Sequence, residues 1–198
     1  MPELYLIAGL GNPGRQYALT RHNAGFLALD RLAARWRADW SQERKFKAQL
    51  ARAGRQGRQV LLCKPETFMN ASGEAIGPLL DYYHVPLERF VVVVDDADLP
   101  LGEIRLRPQG GTAGHHGLES ILQHLGTQDF GRLRLGIGRG PGAAREITDY
   151  VLSRFGAAET EWLEKVLIRA CDQIECWLND GIVKAMSLFN GTVAEVQQ

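Results

Sequence analysis

His22 stands in the run Thr20-Arg21-His22-Asn23-Ala24-Gly25, a few residues after Gly9-Leu10-Gly11-Asn12-Pro13-Gly14. No other residue nearby titrates close to neutral pH, so the chemistry it offers is general base catalysis. The glycines let backbone amides approach a ligand closely, and Asn12 and Asn23 supply both donors and acceptors. A base of this kind gains proton affinity and orientation from a carboxylate, and Asp95, in Asp95-Asp96-Ala97-Asp98, is the candidate partner. Asn70 follows Thr67-Phe68-Met69 and can hydrogen-bond an ester or peptide group without titrating, while Phe68 and Met69 offer an apolar shelf for a base or side chain. A lone histidine is as ordinary on a surface or as a cap, an acidic cluster after a strand also makes turns, and Asn70 would equally cap a helix with Phe68 in the core.

Other chemistries lack their residues. The Gly9–Gly14 run is not G-x-G-x-x-G, no phosphate-binding G-x-x-x-x-G-K-[ST] occurs, and Pro13 removes an amide that a phosphate cradle would use. There is no G-x-S-x-G elbow, and Cys63 is embedded in an apolar run, so water is the expected nucleophile. His115 and His116 lie in the Gly-rich segment 110–117, and with Asp95 they raise the question of a metal. Adjacent histidines are poorly spaced for shared ligation and no H-x-x-x-H occurs, so a metal is not expected.

The elements that must position these residues read as one α/β domain over 1–198, with no repeat and no linker. A chain of this length buries about 70% of the surface its unfolded form exposes. Leu4 to Ala8 reads as a buried strand, and Phe26, Leu29, Leu32, Ala33 and Trp36 recur at helical spacing. Alternation from Phe46 to Ala53, a turn at Gly54-Arg55-Gln56-Gly57 and a second apolar run to Cys63 predict a hairpin. Ile76, Leu79, Leu80 and Tyr83 mark a helix in which Pro78 kinks the chain or lies in the first turn. Phe90 to Val94 predicts a central strand that delivers Asp95 at its carboxyl end, where open α/β sheets bind ligands. Strands at 104–107 and 132–138, a helix at 118–125, a long amphipathic helix over 157–178 and a short terminal helix complete the series.

Net charge is zero, yet residues 1–156 carry twenty Lys/Arg against sixteen Asp/Glu and residues 157–198 three against seven. Arg105, Arg107, Arg132, Arg134, Arg139 and Arg145 form a candidate phosphate-binding patch, against the ordinary role of each as a solvated surface charge. Three cysteines without C-x-x-C spacing fit buried reduced thiols of a cytoplasmic protein. No basic leader and no bilayer-length apolar run is present, so no membrane association is expected.

The segments GLGNPGRQYALTRHNAGF, KPETFMNASGEA, VVVVDDADLPLGEIRLR, GGTAGHHGLESI, FGRLRLGIGRG, DYVLSRF and LFNG, in order along essentially the whole chain, resemble the bacterial-type peptidyl-tRNA hydrolase family. The resemblance implies a single α/β domain with a twisted mixed sheet flanked by helices, and hydrolysis of the ester joining a peptide to the 3′ ribose of tRNA without a cofactor. It implies His22 as base, Asp95 as its support, and Asn12 as the residue that distinguishes blocked from free aminoacyl-tRNA. Tyr17, Phe68, Met69 and Asn70 match substrate-contacting positions, and Arg107 and Arg134 match a clamp for the tRNA 5′ phosphate. The partner implied is the acceptor stem and 3′ end of peptidyl-tRNA, and nothing in the sequence demands more than a monomer. His116 stands where the family commonly has Asn; a neutral imidazole can replace the amide's donor and acceptor, but it is bulkier and can become charged. The alternative is a non-catalytic RNA-binding relative, similar to plant organellar splicing factors of this fold. The intact set His22, Asp95, Asn12 and Asn70 favours the enzyme.

Overall fold

A computed structural model describes residues 3–139 and 147–193. The element order is β1 (Leu4–Gly9), α1 (Ala24–Trp36), β2 (Trp40–Glu43), β3 (Ala48–Arg55), β4 (Arg58–Pro65), α2 (Gly73–Tyr83), β5 (Phe90–Asp96), β6 (Glu103–Arg107), α3 (His116–Leu125), β7 (Gly131–Gly136), α4 (Ile147–Val151), α5 (Ala157–Asp180), α6 (Ile182–Phe189) and β8 (Gly191–Thr192). The strands form one mixed sheet in the order β2-β3-β4-β1-β5-β7-β6-β8. β1 is parallel to β4 and β5, and β5 to β7, while the two flanks are antiparallel.

β5 lies at the centre because its valines have apolar partners on both faces. Val91 and Val93 join the core formed with α1 and α5, whereas Val92 and Val94 join the core beneath α2 and α3. Each such valine, fully buried, contributes about 1.5–3 kcal/mol relative to exposure. A charged residue at Val92 or Val93 would therefore break a whole layer. The expected hairpin is β3–β4, closed by Gln56-Gly57 with φ of 51° and 76°, the positive-φ pair of a two-residue turn.

Three short elements escaped the sequence pattern. β2 and β8 are edge strands of four and two residues, and α4 spans only five, too few to establish a period. Pro78 is not in a first turn: α2 starts at Gly73 and continues through it to Tyr83. The last part of α5 runs to Asp180, with Gly181 following as the expected stop.

Candidate active site

β1 and β5 are parallel neighbours, so the segments leaving them meet at one sheet edge. After Gly9 the chain stays against β5, with the Leu10 amide donating to the Val93 carbonyl at 3.0 Å. α1 is pressed onto the same place: a Cβ on Gly9 would lie 2.3 Å from the Gly25 carbonyl oxygen, and one on Gly25 would lie 2.4 Å from the Val93 carbonyl oxygen. These two glycines therefore admit one backbone segment to another, which corrects the expectation that they admit a ligand. The close contact carries the 3₁₀ turn Arg21–Asn23, and with it His22, to the end of β5.

There His22 Nδ1 meets Asp95, 3.0 Å from Oδ1 and 3.1 Å from Oδ2. From the opposite layer His115, the residue before α3, brings Nε2 to 3.2 Å from the same Oδ1. The three side chains are 11%, 3% and 7% exposed for His22, Asp95 and His115. Burial pushes the Asp95 carboxyl up, but the hydrogen bonds and charge of His115 and His22 outweigh it and hold the group well below the usual carboxylate range. An ionised Asp95 accepts only, so Nδ1 of His22 donates to it and the remaining nitrogen, Nε2, presents a lone pair. His115 has no such freedom, because its Nδ1 accepts the Leu118 amide at 3.4 Å while its Nε2 faces Asp95.

Sequence reasoning weighed His115 only for a metal and gave it no place in the site. The readable signal was its position as the residue immediately before a helix, where a side chain turns back to accept an amide of the first turn. His116, the residue singled out instead, is the first residue of α3; its side chain is 71% exposed and bonds Glu119 at 3.0 Å, at the rim of the cleft.

Asn12 is held from three sides. Its amide donates to Asn23 Oδ1 at 2.9 Å, its carbonyl accepts Asn23 Nδ2 at 3.0 Å, and its own Oδ1 accepts the Met69 amide at 2.8 Å. With Oδ1 thus occupied, the carboxamide NH₂ is the half of Asn12 left to donate into the cleft that it lines. Asn23 engages Asn12 through both ends of its carboxamide and so is a scaffold for it. Met69 is buried at the cleft wall, Phe68 beside it is 61% exposed, and Asn70 is exposed in the 3₁₀ turn Met69–Ala71. Phe68 is therefore not core. The cleft they share with His22, Asp95 and His115 has a volume of about 280 Å³, and Ile147, Val151 and Leu152 also line it.

Tyr17 is half-buried in the turn that follows Gly14 and does not line this cleft. The arginines divide. β6 and β7 pair Arg105 with Arg134 and Arg107 with Arg132, which puts all four on one face. Arg132 is buried and its guanidinium donates to the carbonyls of Gly110, Gly111, Gln128 and Phe130. Arg134 pairs with Asp96 at 3.0 Å and donates to the Gly111 carbonyl at 2.7 Å. Both thus hold the loop that delivers His115, and only Arg105 and Arg107 are exposed on that face. Arg139 pairs with Asp98 at the cleft mouth, and Arg145 lies outside the described residues.

His22 Nδ1, Asp95 and His115 Nε2 lie within 4.8 Å of one another, a spacing a divalent cation accepts. Spacing along the chain concealed this, since the relevant pair is His22 with His115 and not the adjacent histidines. Ligation would require each of these nitrogens to give up the proton it directs at Asp95, and at His115 to move that proton onto the nitrogen that accepts Leu118. Cys63, Cys171 and Cys176 are free and buried, and burial pushes the Cys171 thiol up to about 11. No helix among the described residues is long and apolar enough to cross a membrane.

A family model described as peptidyl-tRNA hydrolase matches residues 6–197 of this chain. The chain is 47% identical over 188 residues to the peptidyl-tRNA hydrolase of Gloeobacter violaceus, covering 95% of this chain and 94% of that one. It is 48% identical over 185 residues to that of Bacillus cytotoxicus, covering 93% and 98%. Among solved structures it is similar to the crystal structure of peptidyl-tRNA hydrolase from Acinetobacter baumannii, with a TM-score of 0.91, 34% identity, and coverage of 98% of this chain and 97% of that one.

Proposed function

Because the chain belongs to the peptidyl-tRNA hydrolase family, we propose that it cleaves the ester between a peptide and the 3′ ribose of tRNA with His22 as general base. The carrying observation is the buried Asp95 that takes Nδ1 of His22 and leaves Nε2 free at the cleft. Nε2 draws a proton from water as the oxygen attacks the ester carbonyl, and ionised Asp95 stabilises the imidazolium that forms. The same imidazolium then returns a proton to the departing 3′ oxygen of the ribose. Donors aimed at the developing oxyanion lower this barrier most, and the free NH₂ of Asn12 and the exposed Asn70 amide are the donors present.

Selection of blocked over free aminoacyl groups follows from the same asparagine. A donor NH₂ locked in place by the Met69 amide suits a peptide carbonyl. Phe68 and Met69 together with Ile147, Val151 and Leu152 give apolar contact to the acyl side chain or the terminal base. Exposed Arg107, beside the equally exposed Arg105, is the cation of the expected clamp left for a tRNA phosphate, while bases of the acceptor stem go largely unread. The enzyme acts in this reading as a cytoplasmic monomer, one domain from end to end.

Release of an N-blocked aminoacyl group from tRNA by wild type and by His22→Ala tests the assignment. Wild-type turnover in the variant removes His22 as base, and RNA binding by a wild type with no esterase activity would replace the enzyme by a binding protein.

A further inference from the structure

Arg21, the neighbour of the proposed base, is buried, yet among the described residues its guanidinium hydrogen-bonds Glu159 alone: Nη2 pairs with Glu159 Oε2 at 2.9 Å, and Nε and Nη1 have no hydrogen-bond partner. The group lies between two rings, 4.6 Å from the centroid of Tyr150 on α4 and 4.9 Å from that of Phe155 in the segment joining α4 to α5. Glu159 also accepts the Gly156 amide at 2.6 Å and so closes the first turn of α5. The backbones are tied as well: the Arg21 amide donates to the Ser153 carbonyl at 2.9 Å, and Thr20 bridges Arg154. Tyr150 in turn donates its hydroxyl to the Ile137 carbonyl at 2.8 Å, just beyond β7.

For packing alone an apolar side chain would serve better here, since a buried donor without a partner destabilises. A cation is useful at this point because it attracts two ring faces and a carboxylate at once, and these three groups come from α4, the following segment and α5. α4 is the short helix whose Ile147, Thr148 and Val151, with Leu152 just beyond, line the cleft together with Phe68. We propose that Arg21 is a positioning residue that sets the α4 wall against the catalytic turn, so that the cleft closes around the acyl group of the substrate. The inference rests on the reading of the cleft as the ester-binding site. His22 itself is held separately by Asp95 and by the backbone ties, so the effect of Arg21 falls on substrate binding.

The test uses the full chain and N-blocked aminoacyl-tRNA. Arg21→Ala is expected to raise KM roughly tenfold with kcat changed by no more than about threefold, the pattern of lost binding in ground and transition state alike. Ethylguanidinium in solution, free to enter the space between Tyr150, Phe155 and Glu159, is expected to restore most of the lost affinity. Glu159→Gln and Arg21→Lys are expected to give smaller rises in KM, and they carry the test if Arg21→Ala does not fold. Lower thermal stability with wild-type KM in these variants, a loss carried by kcat, or no response of a folded Arg21→Ala to ethylguanidinium would each overturn the proposal. A wild type inactive on this substrate would instead remove the functional reading on which it rests.

Discussion

The loop that follows β1 and the loop that precedes α3 each bring a histidine to Asp95, at 3.0 and 3.2 Å, from opposite layers of the sheet. Both histidines are nearly buried and both direct a ring nitrogen at the same carboxylate oxygen. They differ in what the other nitrogen does. That of His115 accepts a backbone amide of α3, whereas Nε2 of His22 meets no protein group among the described residues. On the proposed mechanism, burial and a carboxylate partner do not by themselves make a base; a lone pair left free at the cleft does. In that mechanism His115 keeps Asp95 ionised and in place, and His22 uses it.

If that difference is the operative one, His22→Ala should show the largest effect, a fall of about 10²–10⁴-fold in kcat on N-blocked aminoacyl-tRNA. Comparable turnover in the variant would erase the distinction. Asp95→Asn comes next, at about 10²-fold or more, because an amide accepts less well and can hold the wrong tautomer of His22. This variant also reports on stability. The folded-state pKa of Asp95 is depressed, so its contribution is present above the unfolded carboxylate range and is lost as pH falls through the folded value. The gap in Tm between wild type and Asp95→Asn should accordingly shrink from about pH 7 to about pH 3, and a widening gap would contradict the charge on Asp95.

His115→Gln sharpens the comparison from the other side. A roughly tenfold loss of kcat is expected, since the base stays and only its orienting neighbour changes. A loss as large as that of His22→Ala would mean that the roles are shared or exchanged. The smallest effect belongs to the arginine face. Arg107→Glu should weaken tRNA binding a few-fold and lower its salt slope by about one or two, with hydrolysis of a short 3′ fragment unchanged. Arg134→Glu should instead impair both substrates, because it puts a carboxylate beside Asp96 and withdraws the donor from the Gly111 carbonyl.

Much of the fold was legible in the chain. The run of valines in β5, the helical spacing of α1 and α5 and the β3–β4 turn are local patterns with periods long enough to read. β2, β8 and α4 were not, since two to five residues cannot show a period, and α4 lines the cleft. The site was half legible. His22, Asn12, Asn70 and Asp95 stood out by residue type near strand ends, and the family resemblance supplied the roles proposed for them. Tyr17 and Arg134 matched the same motifs, yet one does not line the cleft and the other is committed to Asp96 and Gly111.

The sequence by itself determined the α/β class, the family and the residues able to do the chemistry, because each of these depends on type and on short-range order. Only the tertiary structure decided which of two adjacent histidines faces Asp95, which end of the Asn12 carboxamide is occupied, which arginines remain exposed and what Arg21 holds. Each of those outcomes is a contact between residues far apart in the chain, and it depends on the direction of a side chain at the end of an element, which spacing along the chain does not encode.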